Sequence, residues 1–130
     1  MTPERFRALV ARAIDTIPAR FAHEIRNVAI VVEDRPGRDL LEELEMGPED
    51  VLLGLYQGTP LPERQWDYGN ALPDRISLFQ RAIEEECEGD EDCIVMEIGD
   101  TLIHELGHYF GLSEDEIAEI EERYWRGEGS

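Results

Sequence analysis

Apolar residues recur along this chain in two rhythms, one close to every third or fourth position and one in short continuous runs. Phe6, Leu9, Val10, Ala13, Ile14 and Ile17 follow the spacing of a single helix face. Thr2-Pro3 ahead of them supplies an N-cap and a first-turn proline. Pro18 starts a short second helical segment through Phe21 to Ile25. Val28 to Val32 (VAIVV) is unbroken and β-branched, the pattern of a buried strand, and Arg35-Pro36-Gly37 ends it. Leu40 to Leu44 makes a helical turn that stops at Gly47-Pro48. Val51 to Tyr56 reads as a second strand, with Gly54 marking a bulge or the close approach of another backbone. Gly58 to Gly69 is punctuated as a loop, Arg75 to Phe79 is a third strand, and Arg81 to Glu88 is helical.

The longest pattern starts after Asp90-Glu91-Asp92, acids that suit a helix N-terminus. At about 100° per residue, Val95, Met96, Ile98, Gly99, Leu102, Ile103, Leu106, Tyr109 and Phe110 share one broad face. Glu97, Asp100, Thr101, His104, Glu105 and His108 fall on the other. Gly111 can take left-handed backbone angles and end the helix. Ser113 and Glu116 then form an S-x-x-E capping box for a last helix, Glu114 to about Trp125.

The polar face of the long helix carries candidate chemistry. His104-Glu105-Leu106-Gly107-His108 is an H-E-x-x-H sequence. Residues four apart on a helix stand one above the other, so two imidazoles can reach one metal ion. The glutamate between them points to the side, toward a water on that ion, as a general base. Glu114, delivered by the turn at Gly111, is placed to supply a third ligand, and Asp115 follows one residue later. Their side chains diverge by about 100° on a helix, so only one can face the histidines, and the spacing favours Glu114. Zinc suits two imidazoles and a carboxylate, although other divalent transition metals also take such a set. Asp100, one turn before His104, is either placed to bond its far nitrogen or simply a solvated acid, and the spacing does not choose between them. A solvated surface pair of histidines is the competing reading. With only three His in the chain, two of them here beside a glutamate, a turn glycine and an acid, the metal reading is preferred. The third, His23, reads as a surface residue.

The run His104 to Glu114, H-E-x-x-H-x-x-G-x-x-acid, resembles the zincin metallopeptidases, in particular the small bacterial mini-zincins. The likeness extends to Leu53-Gly54-Leu55-Tyr56-Gln57-Gly58, to Leu72-Pro73-Asp74-Arg75-Ile76 and to the N-terminal helix. The family pattern has Asp where this chain has Glu114. The resemblance implies a substrate peptide laid along an exposed edge strand, either Val51 to Tyr56 or Arg75 to Phe79. Tyr56, Tyr68 and Tyr109 are candidate donors to a developing oxyanion, against a plainer role in packing.

Length and charge set the remaining bounds. A chain of 130 residues suits one domain, residues 1–130, with a modest core. The reading is an α+β domain, a minimal zincin-like fold with about three strands in a small mixed sheet and helices packed on one side. A net charge of −19, with 31 acids against 12 arginines and no lysine, disfavours nucleic acid and anionic membranes. No run approaches a membrane span and the N-terminus is not signal-like, which gives a cytoplasmic expectation. In that compartment Cys87 and Cys93 are expected as reduced thiols rather than as a disulfide joining two helices. The expected function is Zn2+-dependent hydrolysis of peptide or protein substrates, with His104, His108 and Glu114 on the metal and Glu105 as base. The alternative is a metal-binding module without efficient hydrolysis, because so short a chain leaves little to wall a cleft. A third reading, an acidic interaction protein with an incidental motif, would hold no stoichiometric metal.

Overall fold

The structure, a computed structural model, describes residues 1–47, 49–58, 60 and 74–127. Most of the loop read over Gly58 to Gly69, including Tyr68, lies outside the described residues, as do Pro48 and Leu72-Pro73. Helices α1 (Pro3–Ile14) and α2 (Ala19–Glu24) lead through a single 3-10 turn to strand β1 (Ala29–Glu33). Helix α3 (Arg38–Glu43) is followed by β2 (Gly54–Gln57), β3 (Arg75–Phe79) and α4 (Gln80–Glu86). The long helix α5 (Glu91–Phe110) and α6 (Glu114–Trp125) complete the chain. Thus β2 is shorter than the apolar run Val51 to Tyr56 predicts, and β1 begins one residue late.

The strands form a mixed sheet in the order β1-β3-β2, with β1 parallel and β2 antiparallel to the central β3. Alternation along β3 sends Ile76 and Leu78 into the core that α5 and α1 share. Phe6, Leu9 and Ala13 of α1 meet there with Ile94, Ile98, Leu102 and Ile103 of α5, all fully buried. This is the α+β arrangement that the apolar rhythms predict. Its local ends follow the sequence as well. Thr2 accepts from Arg5 N at 3.1 Å, and Asp90 caps α5 through Cys93 N at 3.0 Å. Gly111 closes α5 at φ 79°, ψ 24°.

Two expectations are corrected. Thr101 and Glu105, placed on the solvent side by periodicity, are buried, at 6% and 9% exposure. The cause is β2, which crosses α5 so closely that a Cβ on Gly54 would stand 2.4 Å from Thr101 Cγ2. Gly54 is therefore the close backbone approach anticipated for it. Second, Cys87 and Cys93 form a disulfide and are not free thiols. Left-handed Glu88 and Gly89 (φ 51° and 80°) turn the chain back between α4 and α5, which brings the two Cα atoms to 5.5 Å. No helix among the described residues is long and apolar enough to cross a membrane.

Candidate metal centre

The last two turns of α5 carry His104 and His108 on one face, ring centroids 4.9 Å apart. Both rings are about one-third exposed. The turn at Gly111 hands the chain to α6, whose first residue is Glu114. The capping box is complete, with Ser113 N donating to Glu116 Oε1 at 2.9 Å and Glu116 N to Ser113 Oγ at 3.1 Å. It sets the angle at which α6 starts. Glu114 then reaches back, its two oxygens 3.5 Å from His108 Nε2 and 4.0 Å from His104 Nε2.

Glu105 sits beside the pair. Donor atoms of His104, Glu105 and His108 all lie within 4.8 Å of one another, close enough to hold one ion. One Glu105 oxygen, however, is already engaged: Tyr56 N of β2 donates to Oε1 at 2.7 Å. Phe79 N bonds Leu53 O, so by antiparallel alternation Leu53 and Leu55 turn their backbone groups to β3, while Gly54 and Tyr56 turn theirs to the other edge. That edge faces Glu105. Burial pushes the Glu105 carboxyl up to about 7, against the opposing effects of the Tyr56 N–H and of His104.

The far side of His104 is where the structure departs from expectation. Its Nδ1 lies 3.0 Å from Glu121 Oε1 on α6. Asp100, a candidate for that place, instead accepts from Trp125 Nε1 at 2.9 Å and shares a hydrogen bond with Glu121. Burial, and then that bond, push Asp100 up to about 7. The hydrogen bond to Glu121 raises His104 to about 9, burial opposing it, with Glu105, Glu121 and Glu114 adding their charges. Sequence spacing contains a signal for Glu121. It lies seven residues after Glu114, two turns along the same face of the same helix.

The aromatic candidates resolve toward packing. Tyr56 and Tyr109 meet edge to face at 5.9 Å, and their hydroxyls donate to Asp74 and Glu24 at 2.8 and 3.0 Å. Tyr68 lies outside the described residues. His23 bonds Arg26, away from the centre.

A family model described as a zincin-like metallopeptidase matches residues 25–124, from the 3-10 turn through α6. The chain belongs to this family. No match occurs among curated proteins. The zincin-like match implies a metal, typically zinc, and the donor set fits one. Ligands at about 2.0–2.1 Å in a tetrahedron stand roughly 3.3 Å apart. The Glu114 oxygens, at 3.5 and 4.0 Å from the two Nε2 atoms, are within a small adjustment of that separation. Helices α1 and α2 lie outside the matched stretch, yet α1 packs against the motif helix.

Proposed function

We propose that the protein is a zinc-dependent peptidase in which His104, His108 and Glu114 hold the ion and Glu105 is the general base. The observation that carries this reading is the division of labour within the Glu105 carboxylate. Its Oε1 is fastened to the backbone of β2 by the Tyr56 N–H, while the carboxylate stays within 4.8 Å of the donor atoms of the two imidazoles, where it can reach a water on the ion. A buried carboxyl near 7 is matched to taking a proton at neutral pH and returning it. Glu114 is better suited than Glu105 to bind the ion, because its two oxygens already lie toward the two Nε2 atoms.

Bound zinc would supply Lewis acidity and bring the pKa of a water to about 7. The protein supplies the rest. Glu105 accepts the proton of the attacking water and delivers it to the amine that leaves. The Tyr56 N–H holds the carboxylate in place while its charge changes. Of the two strands named as substrate edges, β3 is central, so β2 is the one that can receive an extended peptide.

The test uses three proteins. The unaltered chain is expected to bind about one zinc per chain and to cleave members of a mixed peptide library. The His104→Ala, His108→Ala double substitution should lose the zinc. Glu105→Gln should keep the zinc and lose about 10²-fold or more of the activity. A zinc-loaded protein that cleaves nothing across the library would favour the metal-binding module over the peptidase.

A further inference from the structure

Helix α6 meets α5 along a single stripe. Seven residues are close to two helical turns, so Glu114, Ile117, Glu121 and Tyr124 lie on one face. Glu114 reaches both His104 and His108, and Ile117 packs on Gly107. Glu121 reaches His104, and the Tyr124 hydroxyl lies over Gly99 and bonds Thr16 at 2.8 Å. The two helices are thus read against each other in antiparallel order. The end near Gly111 presents a carboxylate to the Nε2 atoms, and a point two turns on presents another carboxylate to the opposite nitrogen of His104.

A neutral imidazole has one N–H and one lone pair, so fixing the first fixes the second. With Nδ1–H donating to Glu121, the lone pair is left on Nε2, the nitrogen that faces Glu114. Glu121 is itself constrained. It hydrogen-bonds Asp100, and Asp100 is held by the indole N–H of Trp125. We propose that Glu121 is the positioning residue of the metal centre: it keeps His104 in the Nδ1–H form with Nε2 turned to the ion, and Asp100 and Trp125 keep Glu121 in place. This rests on the metal-centre reading above. It assigns to α6 both the third ligand and the orientation of the first.

Imidazole NMR and zinc competition with a chelator test it. The unaltered protein should show a slowly exchanging His104 Nδ1–H resonance with and without zinc, and should bind zinc through Nε2. Glu121→Ala should lose the resonance and, compared above about pH 9 where the ring is neutral in both proteins, about 10- to 100-fold in zinc affinity. Glu121→Gln keeps an accepting oxygen, so it should retain the resonance and most of the affinity, a rescue that a purely structural role would not predict. Thermal unfolding of both variants separates loss of orientation from loss of fold. Zinc affinity unchanged in Glu121→Ala would overturn the positioning role alone. A His104 ring protonated on Nε2 and bound through Nδ1 in the unaltered zinc protein would overturn it without any variant. Absence of zinc from the unaltered protein would instead sink the metal-centre reading on which it rests.

Discussion

His104 is held well above its ordinary pKa by the carboxylates around it. Glu121 raises it to about 9 from an ordinary 6.5, with the charges of Glu105 and Glu114 adding to the effect. A raised basic pKa means that the charged ring stabilises the metal-free fold. That contribution is fully present below about pH 6.5 and is lost as pH rises through about 9. The same proton must leave before the ring can bind a metal. Zinc affinity should therefore climb about tenfold per pH unit, through this residue, up to about pH 9 and then level off. Chelator competition across that range is the measurement, and a flat affinity through neutral pH would show that His104 is not a ligand. The residue types and their H-E-x-x-H spacing are legible in the sequence. The electrostatic setting is not, because it comes from a helix that follows a turn.

Among the elements, α6 depends on a close approach that one glycine permits. A Cβ on Gly107 would stand 2.5 Å from Ile117 Cγ1 and 2.7 Å from Cδ1, and Ile117 is fully buried. Gly107→Ala should push α6 outward. The overpacking is expected to cost about 1–3 kcal/mol in thermal or urea unfolding. Glu114 and Glu121 flank Ile117 on the same stripe, so the displacement should also weaken zinc binding. Shortening the opposing side chain by Ile117→Ala should recover part of that affinity in the Gly107→Ala background. Wild-type zinc affinity in the single variant would mean that α6 is not seated by this contact. Strand β2 is positioned by the same device, with Gly54 against Thr101. Its glycine is visible in the apolar run, but the helix it lies against is 47 residues away, and periodicity does not name it.

At the scale of the whole molecule, arginines offset part of the acidic charge away from the metal centre. Arg5, Arg35, Arg81, Arg123 and Arg126 pair with Glu91, Glu85, Asp34, Glu119 and Glu122, carboxylates outside the metal centre. Those pairs are mostly exposed and contribute little each. The disulfide contributes more. Cys87–Cys93 closes a short loop between α4 and α5, for which chain entropy gives about 2 kcal/mol. Replacing both cysteines by serine should lower the thermal midpoint by several degrees. Cys93 is 11 residues before His104, about 16 Å along the helix, so zinc affinity should be nearly unchanged. A large loss of zinc would mean that the bridge shapes the centre as well as the fold.

The sequence by itself determined what is local. Helix and strand rhythms, the caps at Thr2, Asp90 and Ser113, the stop at Gly111 and the placing of His104 and His108 one turn apart on one face all depend on residues within a turn or two of one another. Tertiary structure decided the rest, because each remaining feature depends on how closely distant backbones approach. The sheet order puts β2 at an edge, and its Tyr56 N–H meets Glu105 across 49 residues of chain. Burial of Thr101 and Glu105 follows from that crossing. Glu121 takes the nitrogen that spacing along α5 offered to Asp100, because α6 folds back over the helix and reaches His104 from outside it. A periodic pattern says which way a side chain points; only packing says what it meets there.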